Sequence, residues 1–182
     1  MSEPIAVLVG SLRKESYNLK VAKVLAKLAP SSLELKIIQI GDLPLYNEDI
    51  DAASPPQTYT RFRNEISACK GVLFVTPEYN RSTPAVIKNA IDVGSRPYGK
   101  SVWSKKPAAI ISVSPGAIGG FGANHHLRQS LVFLDMPTMQ QPEAYFGGVA
   151  NSFDDKGDII EKSRAFLKQF IDAYSQWFEK TK

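Results

Sequence analysis

A polar segment with many hydrogen-bond donors, residues 10–18 (GSLRKESYN), directly follows the apolar run of residues 5–9. Its donors are Ser11, Arg13, Ser16 and Asn18. These side chains would surround the start of the next helix. Free backbone N–H groups at a helix start, the helix dipole and an arginine fork together suit a phosphate-sized anion. The same residue types also form simple caps and turns, so the segment alone leaves both interpretations open.

Two further polar segments follow apolar runs of the same kind. Residues 77–84 (PEYNRSTP) combine a proline, a carboxylate, an aromatic ring and an amide, a set that can hold a planar heterocycle. Residues 114–124 (SPGAIGGFGAN) carry four glycines, which let a backbone approach a flat ligand closely. A phosphate site and a ring site together are typical of a mononucleotide site, for example for FMN.

The common phosphate-binding and hydrolase motifs do not fit these segments. Residues 10–18 lack the second glycine and the Gly-Lys-Ser/Thr ending of a P-loop. Residues 114–124 do not fit Gly-x-Gly-x-x-Gly and follow the fourth predicted strand instead of the first. The chain has no Gly-x-Ser-x-Gly elbow, which argues against a serine hydrolase.

The other reactive residue types are expected to have structural roles. His125 and His126 are adjacent, so on a helix they point in different directions and cannot share a metal in the usual i, i+4 arrangement. Cys69 is expected to be a small buried residue at a helix end. Glu78 could act as a general acid, but a loop carboxylate is more often solvated or paired.

Five segments are predicted to be strands. Residues 5–9, 71–76 and 107–113 are short apolar runs, typical of strands buried on both faces. Residues 33–40 begin with alternating polarity and predict a further strand, and residues 136–139 suggest a short fifth one. Between these runs lie segments whose apolar residues recur at helical spacing. Because predicted strands and helices alternate in this way, we expect a parallel sheet covered by helices on both sides.

The predicted helices cover residues 21–28, 59–66, 87–91, 127–134 and 166–178. Ser82 or Thr83 is expected to cap the third of these, with Pro84 in its first turn. Asp158 and Glu161 have the spacing of a capping box before the last helix.

Two connections are predicted to lack regular structure. Residues 41–56 are rich in Asp, Pro and Asn and read as a long irregular connection. Residues 95–106 form another polar connection, in which Tyr98 and Trp103 could cover the ligand site or serve a subunit contact.

The fold class expected from these elements is α/β and flavodoxin-like, with a five-stranded parallel sheet in the order 2-1-3-4-5. Ligands of such sheets bind outside the carboxyl ends of the strands, at the switch point of strand order. In the assumed order, strands one, three and four are neighbours. The three polar segments should therefore converge on one crevice.

Length and composition limit the class of protein. The 182 residues suggest one domain, covering residues 1–182, and 43% apolar residues can build a sizeable core. The net charge is +4, but the basic residues are scattered, which argues against nucleic-acid binding. The single cysteine excludes an intrachain disulfide and suits a reducing, cytoplasmic setting. No apolar run approaches the roughly 20 residues of a membrane span, and the first residues do not resemble a signal peptide.

Three long segments resemble the NADPH-dependent FMN reductase family, and more closely its bacterial chromate and quinone reductases. They are LVGSLRKESYN, TPEYNRSTPAVIKNAIDVGSRPYG and SVSPGAIGGFGANHHLRQSL. The resemblance implies a flavodoxin-like fold, bound FMN, NADPH or NADH as co-substrate, and a dimer or tetramer.

The resemblance also implies a role for particular residues. The FMN phosphate would be held by Ser11, Arg13, Ser16, Tyr17 and Asn18. The isoalloxazine ring would be lined by Pro77, Glu78, Tyr79, Asn80 and Ser82. Ser114 and Gly116 would approach the ring from the third segment. No metal ligand and no catalytic side chain is expected, because the chemistry would take place at N5 of the flavin.

By the resemblance, hydride would pass from the nicotinamide to the flavin and then, in ping-pong fashion, to quinones, chromate or other oxidised acceptors. Three alternatives stay open: a non-enzymatic electron carrier of the flavodoxin type, a reductase that releases free reduced FMN, and a plain phosphate-ligand binding protein. The net charge of +4 counts against the carrier, since such carriers are usually acidic.

Overall fold

A five-stranded parallel sheet forms the centre of the computed structural model, which describes residues 2–182. The strands are β1 Glu3–Val9, β2 Leu33–Ile38, β3 Gly71–Thr76, β4 Ala108–Val113 and β5 Ala144–Phe146. Their spatial order is β2-β1-β3-β4-β5, and every neighbouring pair is parallel. The predicted fold class and strand order are therefore confirmed.

Helices cover both faces of the sheet. They are α1 Tyr17–Leu28, α2 Glu48–Ala53, α3 Gln57–Ala68, α4 Ala85–Gly94, α5 Phe121–Phe133 and α6 Glu161–Thr181, with a 3₁₀ turn at Val149–Ser152. The cores show the layering: α1 and α6 pack with Val7 and Val75 on one face, and α3, α4 and α5 pack with Leu8 and Phe74 on the other. Because β1, β3 and β4 are covered on both faces, their sequences are continuous apolar runs.

The fifth strand is not at residues 136–139, so that prediction was wrong. This segment makes one isolated parallel bridge, at Thr138, to the start of β4. Pro137 has no N–H to donate, so its pairing is limited to its carbonyl, which accepts from Ala108 N–H at 2.9 Å. The apolar side chains that suggested a strand, Met136 and Met139, are instead buried in the two cores. β5 lies further on and pairs with residues 111–113.

Both predicted helix caps were also wrong. Helix α4 begins after Pro84, which is its N-cap residue, and no side chain caps it. The Ser82 and Thr83 hydroxyls bond instead to residues of α5, as described below. At α6 the N-cap residue is Ile160 without a side-chain cap, and Asp158 N–H donates to the Asp154 carboxylate. Residue spacing alone did not locate these helix starts.

The connections contain more structure than the sequence predicted. Within residues 41–56, the short helix α2 is capped by Asn47, whose Oδ1 accepts the Asp49 N–H at 2.9 Å. Trp103 is fully buried between Phe62 and Phe74, and its Nε1–H donates to the Ile91 carbonyl at 3.0 Å. It therefore belongs to the core and covers no ligand site. Tyr98, in contrast, is 94% exposed.

None of the helices within residues 2–182 is both long enough and apolar enough to cross a membrane.

Candidate functional site

The three polar segments meet at the carboxyl ends of β1, β3 and β4. These strands are adjacent in the sheet, so the segments that follow them share one edge. They enclose a cavity of about 290 Å³. It is lined by Ser11, Arg13, Ser16, Tyr17, Asn18, Pro77, Glu78, Tyr79, Val113, Ser114 and Pro115. The predicted convergence is therefore present, and all but three of the predicted site residues line one cavity.

The first segment presents the start of α1 to this cavity. Ser16 is the N-cap residue, and its Oγ accepts the Leu19 N–H at 3.1 Å. The first backbone bond of the helix runs from Lys20 N–H to the Ser16 carbonyl. The N–H groups of Tyr17 and Asn18 precede that bond, so they are available for a ligand at the positive end of the helix dipole.

Asn18 has a buried side chain that lacks a full set of partners. The residue is 5% exposed, and its Oδ1 has no hydrogen-bond partner. A buried polar atom without a partner costs free energy, and a ligand hydroxyl that donates to this oxygen would remove that cost.

The second segment is fixed against the start of α5. The Glu78 carboxylate accepts the Ala123 N–H at 3.1 Å, and its side chain is only 12% exposed. It also lies 3.4 Å from the Arg81 guanidinium. Glu78 is thus paired and partly buried, which fits the structural alternative for this residue. Tyr79, which also lines the cavity, is 47% exposed.

The third segment packs mainly against β5. Ser114 N–H donates to the Phe146 carbonyl, and Gly148 N–H donates to the Gly116 carbonyl. A Cβ atom at Gly147 would lie 2.5 Å from the Ala117 oxygen. Here the absence of a side chain lets two backbone segments of the protein approach each other closely, and the contact involves no ligand. The segment is also shorter than predicted, because residues 121–124 are already in α5.

Three predicted site residues do not line the cavity. Asn80 lies in the turn after Tyr79, with a left-handed φ of 50°. The Ser82 hydroxyl bonds His126 Nδ1 at 3.0 Å and faces α5. Gly116 is exposed beside Ser114, whose Oγ accepts the Gly116 N–H at 3.1 Å.

The remaining reactive residue types have structural partners. His125 Nε2 lies 2.8 Å from the Tyr145 hydroxyl, and the described residues, 2–182, contain no metal-binding group of His, Cys, Asp or Glu side chains. Cys69 is 2% exposed, and burial raises the pKa of its thiol. The structural expectation for Cys69 is confirmed.

Comparison with known proteins identifies the family. The family model of the NADPH-dependent FMN reductases matches residues 4–151. The chain belongs to the NADPH-dependent FMN reductase family. The matched range contains all three cavity segments, so the family assignment and the cavity concern the same part of the chain.

Relatives of this FMN reductase chain include proteins named for quinone reduction. A quinone reductase of Pseudomonas putida is 68% identical over 95% of this chain and 93% of its own length. A 2-hydroxy-1,4-benzoquinone reductase of a Burkholderia species is 47% identical, over 97% of each chain. The solved structure of FerB, a flavoenzyme NAD(P)H:(acceptor) oxidoreductase of Paracoccus denitrificans, superposes with a TM-score of 0.92 at 46% identity, covering 98% of each chain.

FMN is thus the cofactor of this reductase family, with NAD(P)H as the electron donor, as the sequence predicted. The cavity residues fit this cofactor. The start of α1 and Arg13 suit its phosphate. The unpartnered Asn18 Oδ1 suits a hydroxyl of its ribityl chain.

Two lining residues were missed by sequence reasoning. Val113 is the last residue of β4, and Pro115 follows Ser114. Neither carries a side-chain polar group, so the type of residue does not indicate ligand binding. Their place at the carboxyl end of a central strand was the signal that could have identified them.

Proposed function

We propose that this chain is an NAD(P)H-dependent quinone reductase that works through bound FMN. The observation that carries the proposal is the cavity at the ends of β1, β3 and β4, with anion donors at the start of α1 and the half-exposed Tyr79 among its lining residues. Its support from relatives is the 68% identity to a protein named quinone reductase.

The overall reaction converts a quinone, NAD(P)H and one proton into a hydroquinone and NAD(P)⁺. When bound, FMN supplies the hydride acceptor and donor for this reaction. The chain supplies binding and orientation. Arg13 and the start of α1 neutralise the phosphate, and Glu78 holds the second segment against α5 through the Ala123 N–H. The half-exposed Tyr79 borders the side through which donor and acceptor enter in turn.

Finer features belong to the same proposal. Chromate is a further acceptor, NADPH and NADH are both donors, and the chain 1–182 is one FMN-binding domain that works in the cytoplasm. It assembles as a dimer or tetramer, and the exposed Val132 and Phe133 at the end of α5 provide an apolar surface for assembly. Light scattering on the purified protein tests the assembly.

The test of the function is a visible spectrum of the purified protein, followed by NADPH oxidation with a benzoquinone and no second protein. We expect a flavin spectrum, steady oxidation and retention of the flavin through gel filtration. Parallel assays with chromate and with added free FMN give the acceptor range.

Each alternative predicts a different outcome. A protein that remains colourless after soaking with FMN would refute the proposal. Turnover that requires a second protein would indicate an electron carrier. Flavin loss on reduction, with turnover only when free FMN is added, would indicate a reductase that releases its flavin.

A further inference from the structure

A strained turn lies at the edge of the cavity. Tyr79 N–H donates to the Ser82 carbonyl at 3.1 Å, and Ser82 N–H donates to the Tyr79 carbonyl at 3.0 Å. The two residues between them both have left-handed backbones, with φ of 50° at Asn80 and 64° at Arg81. Such a type I′ turn favours Asn followed by Gly. Asn80 suits its position, whereas Arg81 occupies the glycine position at a cost in backbone strain.

The surroundings hold this turn in place. The Ser82 Oγ lies 3.0 Å from His126 Nδ1, and the Thr83 hydroxyl donates to the Ala123 carbonyl at 3.3 Å. The Arg81 carbonyl packs so closely on α5 that a Cβ at Gly122 would lie 2.8 Å from its oxygen. Strain of this kind persists only where neighbours determine the backbone, and it is concentrated at ligand clamps and active sites.

The arginine side chain is accessible to a ligand. It is 77% exposed, and its nearest carboxylate is Glu78, at 3.4 Å from Nη1. Glu78 lines the cavity, so the guanidinium stands at the cavity rim. Arg13, in contrast, lines the cavity itself, just before the start of α1. Arg81 is therefore a second cation beside the site, separate in sequence from the α1 start to which the FMN phosphate is assigned.

We propose that Arg81 binds a phosphate group of the nicotinamide nucleotide and so determines donor affinity. The inference rests on the proposed function. A guanidinium fork binds phosphate with two parallel hydrogen bonds, whereas a quinone carries no charge for it to recognise. With a quinone as acceptor, Arg81 therefore acts in the donor half of the reaction and not in the acceptor half.

The test compares Arg81→Gly with Lys105→Gly. Lys105 is a matched control, because it is exposed, has the same left-handed φ of 64°, and precedes β4 at the opposite end of the sheet. Both substitutions remove one cation and relieve the same strain. We expect both to raise Tm, by about 2 °C.

Only Arg81→Gly should affect the donor. We expect kcat/KM for NADPH to fall about tenfold, as for loss of one exposed charge-assisted contact, with kcat/KM for the quinone and the flavin content unchanged. A loss for NADPH alone would assign the contact to the 2′-phosphate. An equal loss for NADPH and NADH would assign it to the pyrophosphate.

Unchanged kcat/KM for both donors would overturn the proposal. So would a loss that extends to the quinone or to flavin content, since it would indicate a general effect on the second segment. The rate of anaerobic flavin reduction by each donor is also measured without acceptor. Absence of quinone turnover in the native protein would refute the proposed function, but this half-reaction would still decide the role of Arg81.

Discussion

Arg13 is the residue on which FMN affinity should depend most directly, since it lines the cavity beside the start of α1. We expect Arg13→Ala to weaken FMN binding by about 1.5–3 kcal/mol, roughly 10- to 150-fold, through loss of a charge-assisted contact. Titration of the apoprotein with FMN, followed by flavin fluorescence, measures the change.

The neighbouring Lys14 provides the control for this prediction. It is exposed and does not line the cavity, so Lys14→Ala should remove the same charge and leave FMN affinity within about twofold. Equal losses in both variants would mean that general charge attracts FMN and that Arg13 makes no specific contact.

Most of the candidate site could be predicted from single residues, because polar side chains directly after apolar strands are visible in the sequence. Ser11 and Ser114 are examples. The partners of those residues could not be predicted. The Ser82 hydroxyl bonds His126 in α5, which lies 44 positions further along the chain. This contact depends on how two elements pack, and the local sequence does not indicate it.

At the scale of elements, Ser16 combines two roles that substitution can separate. Its Oγ caps α1, and it lines the cavity where the FMN phosphate is expected. We expect Ser16→Ala to lower the free energy of unfolding of the apoprotein by about 1 kcal/mol, because the cap is lost. Chemical denaturation measures this change.

Ser16→Asp should preserve the helix cap but weaken FMN binding. Aspartate is a good N-cap residue, so the apoprotein should stay close to native stability, whereas a carboxylate beside the phosphate should weaken FMN at least tenfold. Native-like FMN affinity in this variant would contradict the placement of the phosphate at α1.

The central strands could be predicted from their apolar sequences, but the edge strand β5 could not. β1, β3 and β4 are buried on both faces, so their sequences carry continuous apolar runs. β5 has three residues and one neighbour, and its sequence differs little from that of a buried loop such as residues 136–139. The burial of Trp103 depends on contact with Gly94, where a Cβ would lie 2.6 Å from the indole ring. The sequence pattern around Trp103 does not indicate this contact.

For the whole molecule, two tyrosines predict a loss of stability in alkali. Burial, with help from Glu143, raises the pKa of Tyr145 from 10.0 to about 12, and complete burial raises the pKa of Tyr174. A raised pKa means that the folded protein holds the proton more tightly. The stabilisation is therefore complete below pH 10, the unfolded value, and is lost as the pH rises toward 12.

We expect the Tyr145 contribution to this loss to be about 1–2 kcal/mol, allowing for partial exposure to solvent. Urea unfolding at a series of pH values above 9 measures it, and Tyr145→Phe should reduce the slope. An identical slope in that variant would assign the effect to Tyr174 and other groups.

The three segments that line the cavity are attached to strands of unequal stability. The first and second segments follow β1 and β3, which have a neighbour on each side, but the third is bonded through Ser114 and Gly116 to residues around β5, a three-residue edge strand. Edge strands open with less free energy than central ones. Amide hydrogens of residues 114–119 and 144–148 should therefore exchange with deuterium together, and sooner than those of β1 and β3. Local opening of the third segment and β5 would loosen the surroundings of a bound flavin ring, whereas the phosphate would stay bound at the start of α1.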